Sequence, residues 1–270
     1  VLSKRLEKPL VNLPKMVRGN VTAFQAALTG NSFAEIDRRA KLLIFRLEQA
    51  DHSMLLHLKM TGQLIYPNSV DRVAGGHPFP EFNVELPNKY THLIFPFADG
   101  SQLFFNDLRQ FGYVQLVDNT ELDSIFTKYG LEPGTSNFTW EAFQNLLQGR
   151  RSPLKQFLLN QQLIAGLGNI YADEVAFYAQ VRPDRPLNTL TLAEQRRLFE
   201  GIETIIGSAI EHRGTTFRNY ADSEGKKGGY AQFLQVYGRA GERCLRCGQA
   251  EIEKIKLAGR GTHFCPNCQK

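Results

Sequence analysis

Four cysteines near the C-terminus carry the clearest chemical signal in this sequence. They form two Cys-x2-Cys pairs separated by 17 residues, and the chain has no others: Cys244, Cys247, Cys265 and Cys268. Two close pairs at this separation can surround one tetrahedral Zn²⁺ with thiolates. Two disulfides are the competing assignment, which the expected cytosolic location disfavours. Four cysteine ligands leave no open coordination position, so the pattern predicts one structural zinc ion.

A glycine-containing segment, QQLIAGLGNIYADEVAF at 161–177, is a second signal. Gly166, Gly168 and Asn169 stand at the opening of an apolar-periodic helix, where free N–H groups favour an anion such as a phosphate. A helical hairpin in any bundle would show a similar pattern. Residues 150–270 carry 18 Lys+Arg against 12 Asp+Glu, whereas residues 1–149 carry 14 against 15. This basic half suits a polyanion partner, and a solvated basic surface explains it equally well.

The elements that must position these residues divide the chain in two. In the first 120 residues, short apolar runs between turn signals predict antiparallel strands of a sandwich or barrel, at 41–47, 54–66, 91–97, 102–105 and 112–117. Asp99–Gly100 favours a two-residue hairpin, and 68–87 is predicted to be a surface loop. Helical periodicity follows: one helix begins behind Thr139, and a longer one runs over 191–212 behind a Thr-x-x-Glu capping box.

These patterns predict an α+β protein of several domains. The expected order is a β-sandwich domain over 1–130, a linker at 131–137, a helical domain over 138–233 and a metal module over 234–270. No apolar run approaches the roughly 20 residues needed to span a bilayer, and the start VLSKRLEKPL lacks the apolar stretch of a secretory signal. The cytoplasm is the expected location.

Several motifs together closely resemble those of the bacterial formamidopyrimidine-DNA glycosylases, which excise oxidised purines and then cleave the DNA strand. They occur in the family's order and span essentially the whole chain: RRAKLLIF (38–45), HLKMTGQL (57–64), DLRQFG (107–112), the 161–177 segment, VYGRAGERCLRCG (236–248) and GRGTHFCPNCQK (259–270). The HLxMxG pattern favours this purine-specific branch over the endonuclease VIII type. The resemblance implies an N-terminal β-sandwich, a C-terminal helix–two-turn–helix bundle with a four-cysteine zinc finger, and DNA held in the cleft between them.

The resemblance also implies roles for individual residues. Lys41 matches a lysine that transfers protons near the reacting sugar, although by residue type alone it would be a solvated strand-end cation. Met60, Arg109 and Phe111 match the residues that fill the gap left by an extruded nucleotide; by residue type alone, Met60 and Phe111 would more often be core residues. Arg260 matches a zinc-finger arginine that binds phosphates at the lesion. We interpret its assigned proton-donor role as electrostatic, because a guanidinium does not readily release a proton.

Further DNA contacts follow from the same resemblance. Arg151 and Asn169 match residues that contact DNA in the family. Tyr90 departs from the family pattern K-H-x-H, since this chain has Lys89-Tyr-Thr-His92. A tyrosine hydroxyl can still donate a hydrogen bond to a phosphate, although it loses the pH response of a histidine.

The polar segment 214–230, which contains several glycines, is expected to close over the extruded base. Its glycines let backbone N–H groups wrap a purine edge, and three residues could add hydroxyl contacts: Thr215, Thr216 and Tyr220. A plain surface loop is about equally consistent with the composition.

The N-terminal end departs from the family pattern. Family members begin with Pro-Glu in a PELPEVET run that opens a helix; the proline amine attacks C1′ and the glutamate supplies protons. Here Val1–Leu2–Ser3 aligns with an early strand beyond that helix. Truncation is the favoured explanation because the other matched residues remain, and loss of the nucleophile is the alternative. The chain beginning at Val1 is therefore expected to be inactive as a glycosylase.

The resulting prediction is a zinc-containing DNA glycosylase with AP-lyase activity, which acts on duplex DNA containing an oxidised purine or an abasic site. It is expected to be a monomer associated with the bacterial nucleoid. Two alternatives remain: a catalytically inactive lesion-binding homologue, and an unrelated zinc-ribbon nucleic-acid-binding module. Single-stranded RNA binding without lesion preference would favour the zinc-ribbon module.

Overall fold

The computed structural model of the chain describes residues 1–49, 51–67, 72–76, 85–215 and 229–270. The chain forms two compact units. The first comprises Val1–Phe126 and Arg213–Gly229, and the second Thr127–His212 and Tyr230–Lys270. The second unit thus begins four residues before the predicted linker at 131–137. Leu131 is bound into it, because the Leu131 N–H donates to the Leu163 carbonyl at 2.9 Å.

The described strands of the first unit form two five-stranded sheets. In chain order the strands are β1 (Leu10–Val11), β2 (Val17–Arg18), β3 (Phe33–Arg39), β4 (Leu42–Leu47), β5 (His52–His57), β6 (Gly62–Pro67), β7 (Arg72–Gly76), β8 (Thr91–Pro96), β9 (Gln102–Asp107) and β10 (Tyr113–Asp118). One sheet has the order β1-β8-β9-β6-β7 and the other β2-β10-β5-β4-β3. All neighbours are antiparallel except β2 and β10, which pair in parallel. The predicted antiparallel arrangement is wrong at that pair.

One apolar core is shared by the two sheets, which confirms the predicted sandwich. Phe33 and Phe45 from one sheet and Phe95 and Phe105 from the other are almost completely buried. Each such side chain contributes about 1.5–3 kcal/mol by leaving water. The helix α1 (Val21–Leu28) packs against this core, and the Phe24 ring lies edge-on to Phe95 at 6.5 Å.

Three further features of the first unit differ from the sequence-based expectations. The predicted loop 68–87 contains β7, which pairs with β6 because backbone pairing compensates for its glycines. The hairpin at Asp99–Gly100 has a three-residue loop, 98–100, and not a two-residue one, since the Phe97 N–H donates to the Ser101 carbonyl at 2.8 Å. Helix α1 was not predicted, because only two of its eight residues are buried.

Helices build most of the second unit. After α2 (Asn119–Phe126), which follows the last strand of the first unit, they are α3 (Trp140–Leu147), α4 (Leu154–Leu159), α5 (Asn169–Tyr178) and α6 (Leu192–Glu211). The predicted capping box is confirmed at α6: the Thr191 hydroxyl accepts from the Glu194 N–H at 3.3 Å, and the Glu194 carboxylate accepts from the Thr191 N–H at 2.8 Å. Helix α5 packs against α4 and α6, and most of its residues are buried.

A small hairpin closes the second unit. Strands β11 (Glu253–Leu257) and β12 (Arg260–Phe264) are joined by a two-residue turn, and β12 packs against α5. The wholly buried Gln269 ties this region to the helices: its side-chain N–H donates to the Val181 carbonyl at 2.9 Å, and its oxygen accepts from the Cys265 N–H at 2.8 Å. Among the described residues, no helix has the length and apolar character required to cross a bilayer.

Candidate nucleic-acid interface and metal centre

Three side chains matched to gap filling lie side by side on the first unit. Met60 lies in the β5–β6 connection and Phe111 in the β9–β10 connection, with 57% and 52% of their surfaces exposed. Arg109 contacts both, since its Nη1 lies 3.2 Å from the Met60 sulfur and its Cζ lies 4.7 Å from the centre of the Phe111 ring. We call these three residues the wedge array. Its large apolar side chains are exposed beside a cation and are available to a ligand, so they are not core residues.

A buried carboxylate holds the two loops that carry the wedge array. Asp107, the last residue of β9, is wholly buried. One of its oxygens accepts hydrogen bonds from the Thr61 hydroxyl and the Arg109 N–H, the second at 3.1 Å, and its other oxygen accepts from the Gly112 N–H at 2.7 Å. Sequence reasoning missed Asp107 and Thr61, because an aspartate that opens a loop is usually solvated. Only the three-dimensional pairing of the loops reveals it.

Lys41 lies in the exposed turn between β3 and β4, in a cationic region of the first unit. Burial, with added repulsion from Lys59, Lys41 and Arg18, lowers the pKa of the nearby His57 to about 4. The His57 Nδ1 accepts a hydrogen bond from the Lys59 N–H at 2.9 Å, so the neutral ring carries its proton on Nε2. The Arg18 guanidinium stacks on the Tyr113 ring at 3.3 Å from its centre. Such a region can bind a phosphate.

Tyr90 is joined through its backbone to the loops that carry the wedge array. Its carbonyl accepts from the Asp107 N–H at 3.0 Å, and its own N–H donates to the Asn88 side chain at 3.0 Å. Lys89 lies over the Tyr90 ring at 5.0 Å from its centre. The residue that replaces the family's usual histidine is therefore held next to the strand end that bears Asp107.

In the second unit the structure brings Asn169 next to the strand that begins at Arg260. Asn169 is the first residue of α5, and its side-chain amide donates to the Gly261 carbonyl at 3.0 Å. Arg260 precedes that glycine and is exposed. Gly168, the N-cap residue of α5, makes no side-chain hydrogen bond to the start of the helix, and the N–H groups of a first helical turn have no partner within the helix. A helix start beside an exposed guanidinium favours a phosphate.

A buried ion pair lies beside Asn169. Lys155 and Asp173 are wholly buried and paired with each other, and the Lys155 Nζ is 3.5 Å from the Asn169 carbonyl. The other Asp173 oxygen accepts from the His263 N–H at 3.0 Å, which fixes β12 against α5. Burial lowers the pKa of Lys155, and the charge of Arg260 adds to the lowering while Asp173 opposes it. Sequence reasoning missed this pair, because charged residues in an amphipathic segment usually face water.

The remaining predicted residues are not joined to these groups. Arg151 is exposed in the segment before α4 and makes no hydrogen bond or ion pair with another described residue. Thr215 is buried and pairs with Gly229. Thr216 and Tyr220 lie outside the described residues, so closure of 214–230 over a base stays a prediction.

The four cysteine sulfurs form a compact cluster. Cys244 and Cys268 are 3.8 Å apart, as are Cys247 and Cys265, and all four sulfurs lie within 4.8 Å of one another. These cysteines are free thiols, since a disulfide needs about 2.0 Å. A tetrahedral zinc ion with Zn–S bonds of about 2.3 Å separates its sulfurs by about 3.8 Å. The spacing therefore fits zinc. Backbone N–H donors lower the pKa of Cys247 to about 5, whereas burial and the neighbouring cysteines raise the pKa of Cys265 and Cys268, so the fit to zinc rests on the sulfur geometry.

Comparison with known proteins covers the whole chain. A family model described as the formamidopyrimidine-DNA glycosylase N-terminal domain matches residues 1–114, and one for the H2TH domain of the same glycosylases matches 129–221. The formamidopyrimidine-DNA glycosylase of Heliobacterium modesticaldum is 41% identical over 268 residues, which cover 98% of this chain and 92% of that protein. The Streptococcus pneumoniae protein of the same name is 38% identical over 272 residues, covering 100% and 93%. The chain belongs to the formamidopyrimidine-DNA glycosylase family.

Solved structures of this family show the same fold. The complex of Lactococcus lactis Fpg with DNA containing an abasic site superposes with a TM-score of 0.87 at 35% identity, covering 100% of this chain and 94% of that one. A complex of a Lactococcus lactis FPG variant with Fapy-dG-containing DNA also has a TM-score of 0.87 at 35% identity, with 100% and 93% coverage. The predicted fold class, a β-sandwich followed by a helix–two-turn–helix bundle and a four-cysteine finger, is confirmed.

The metal centre of this chain is a structural zinc finger. A family model for the zinc finger found in FPG and IleRS matches residues 241–270, which include all four clustered cysteines. The finger holds one zinc ion through four thiolates, with no position left for a reacting ligand. Zinc therefore stabilises the fold of the finger, and the prediction made from cysteine spacing is confirmed.

Proposed function

We propose that this chain is a base-excision repair glycosylase that removes oxidised purines, 8-oxoguanine and formamidopyrimidines, from duplex DNA. We further propose that it cleaves the resulting abasic site as an AP lyase. The wedge array carries the proposal, because exposed apolar side chains held beside a guanidinium suit a gap in a base stack. The Lactococcus lactis complexes, which contain abasic-site and Fapy-dG DNA, support it.

The wedge array would stabilise DNA from which one nucleotide has been extruded. Extrusion costs a few kcal/mol of stacking and pairing. Met60 and Phe111 offset that cost by occupying the vacated stack, and Phe111 can stack on a neighbouring base. The Arg109 guanidinium can donate hydrogen bonds to the partner base left without its mate. Intact duplex has no gap, so this contribution is specific for the opened site.

Cationic and polar groups would bind the phosphates on either side of that site. Asn169 and the start of α5 offer N–H donors, and Arg260 offers a guanidinium next to them. Tyr90 and Arg151 would add contacts with the sugar–phosphate backbone of the DNA. These contacts carry no sequence information, and they supply salt-dependent affinity for all DNA.

The chemistry proposed for the site begins with an amine that displaces the base at C1′. The amine nitrogen bonds to C1′ as the bond from C1′ to the base breaks, and the departing base takes up a proton while the nitrogen loses one. The C1′–O4′ bond then breaks, with a proton delivered to O4′, and the iminium formed makes the C2′ proton acidic. Loss of that proton expels the 3′ phosphate, and loss of the C4′ proton then expels the 5′ phosphate. Lys41, in the cationic region beside His57, would hold a phosphate and move a proton. Zinc takes no part in these steps.

Three further expectations belong to this proposal. Residues 214–230 would close over the extruded base, with Thr215, Thr216 and Tyr220 as contacts. The protein would act as a monomer, because a single copy carries every matched motif. Its place would be the bacterial cytoplasm, at the nucleoid, where its DNA substrate lies.

A single-turnover excision assay tests the proposal. The protein, expressed from its own start codon, is incubated with a duplex that contains one 8-oxoguanine, and the matched duplex with guanine is the control. We expect release of the oxidised base, strand cleavage at that position, and a covalent adduct when borohydride is present. Tight lesion binding without base release would identify an inactive lesion-binding homologue. Preferential binding of single-stranded RNA would contradict a repair function.

A further inference from the structure

Asp107 joins two loops that come from different hairpins. Thr61 follows Met60 in the β5–β6 connection, and its hydroxyl donates a hydrogen bond to the Asp107 carboxylate. The β9–β10 connection supplies the other donors, the N–H groups of Arg109 and Gly112. The Thr61 oxygen also accepts from the Arg109 N–H at 2.9 Å. The Asp107 side chain therefore fixes the distance between the loop that carries Met60 and the loop that carries Arg109 and Phe111.

The surroundings allow these loops little freedom. A Cβ added at Gly112 would lie 2.7 Å from the Phe105 ring, and one at Gly62 would lie 2.4 Å from the Leu58 carbonyl oxygen. Gln110 adopts a left-handed φ of 57°, which a side chain other than glycine adopts only when its neighbours enforce it. The backbone is thus held in one shape at the point where two large apolar side chains face water.

Among the described residues, the donors that compensate for burial of the Asp107 carboxylate come from these loops. In the part of the chain that the structure describes, no cation lies within ion-pair distance of it. A carboxylate removed from water needs strong donors, and all three donors to its side chain belong to the loops that carry the wedge array. The same hydrogen bonds that satisfy the buried Asp107 carboxylate therefore also fix the geometry of the wedge array.

We propose that Asp107 is the positioning residue for recognition of an opened site in DNA. It holds Met60, Arg109 and Phe111 as one rigid array and so determines the preference for duplex with an extruded or abasic nucleotide over intact duplex. The inference rests on the proposed function, in which the array occupies the vacated stack. Asp107 is wholly buried, so it acts through the array and not by contact with DNA. Its contribution is pre-organisation, which lowers the entropic cost of placing three side chains in a gap.

Equilibrium binding by Asp107→Asn tests this. An amide keeps the shape of the carboxylate but replaces one acceptor by a donor, which faces either the Thr61 hydroxyl or a backbone N–H. We expect the ratio of affinities for abasic-analogue duplex over intact duplex to fall about tenfold, the scale of one base-stacking contact. Affinity for intact duplex and zinc content should be unchanged.

Asp99→Asn is the matched control. Asp99 lies in the loop at the other end of β9 and accepts from the Ser101 N–H at 3.0 Å, so the same charge is removed from a comparable hairpin. We expect its affinity ratio to equal that of the unmodified protein. An equal fall in both variants would show that the effect is one of net charge or of general stability, and would overturn the proposal.

A double-mutant cycle separates positioning from mere folding. If Asp107 acts through the array, Phe111→Ala should cost the abasic-analogue affinity much less in the Asp107→Asn background than in the unmodified protein. Additive losses would contradict the proposal. Should Asp107→Asn fail to fold, Thr61→Val removes one donor at nearly constant volume, and the same cycle with Phe111→Ala applies. An unmodified protein that does not prefer abasic-analogue duplex would instead refute the proposed function.

Discussion

Two groups of candidate DNA contacts, the wedge array in the first unit and Asn169 with Arg260 in the second, each lie next to a wholly buried aspartate. The two aspartates are satisfied differently. Asp107 accepts hydrogen bonds from a hydroxyl and two backbone N–H groups, whereas Asp173 pairs with the Lys155 ammonium and accepts from His263.

This difference shows two ways of placing an exposed group. Backbone donors are fixed in direction, so a carboxylate that binds them determines the shape of a loop. An ion pair is less directional, and it ties elements together because neither partner tolerates burial alone. The first arrangement suits recognition by shape, as a gap in a base stack requires. The second suits a group that needs only to place charge near a phosphate.

The largest effect that sharpens this comparison is expected from Asp173→Asn. The variant leaves the Lys155 side chain buried without its counter-charge, which costs about 3–5 kcal/mol of unfolding free energy. Urea unfolding followed by circular dichroism measures it. Asp184→Asn is the control, because it breaks an exposed pair with Arg182 at 2.9 Å and should cost about 0–1 kcal/mol. Similar losses in both variants would show that the buried pair is no stronger than a surface one.

The next largest effect concerns the wedge array. Phe111→Ala and Met60→Ala should each weaken binding to abasic-analogue duplex by about 1–3 kcal/mol, with intact duplex nearly unaffected. Fluorescence anisotropy with both duplexes measures it. Ile36→Ala truncates another exposed apolar side chain of the first unit and should change neither affinity. Equal losses on damaged and intact duplex would remove the array from gap recognition.

A smaller and unselective effect is expected from Arg260→Ala. Loss of one phosphate contact should weaken binding to damaged and intact duplex alike and reduce the slope of log affinity against log salt by about 1. Titrations between low and moderate salt measure the slope. Lys256→Ala is the control, because it removes the same charge from the same hairpin, at the position paired with Gly261, where no phosphate contact is proposed. A change confined to damaged duplex would make Arg260 part of lesion recognition.

The smallest effect is a pH dependence of the unfolding free energy that comes from His57 in the first unit. The pKa of His57 in the first unit is about 4 when folded, against about 6.5 in an unfolded chain. The unfolded chain therefore binds more protons between these values, and stability falls as the pH drops through this window. His57→Asn keeps an acceptor for the Lys59 N–H and does not titrate there. Its loss between pH 6.5 and 4 should be smaller by about 1 kcal/mol after screening by water, as urea unfolding can show; identical pH profiles would contradict it.

Local patterns in the sequence predicted the parts of this protein whose causes are local. The capping box of α6, six of the ten described strands of the first unit and the cysteine cluster each depend on residues a few positions apart. Strand β7 was missed because glycines favour a loop until a partner strand supplies hydrogen bonds. The family resemblance singled out Met60, Arg109 and Phe111, but not what holds them. Asp107 and Lys155 depend on partners that are distant in sequence, and by residue type alone both belong on a solvated surface.

The finger is tied to the α5 region by polar contacts that zinc does not supply. Zinc organises the cysteines, but His263 relies on Asp173 and the side chain of Gln269 on the carbonyl of Val181, both supplied by or next to α5. A finger transplanted by itself would carry two polar groups that have lost their partners, and its donor would keep an aspartate and a carbonyl in the same condition. Separating the finger from the helix beneath it would therefore cost stability even with zinc bound, because these hydrogen bonds would be left unmade.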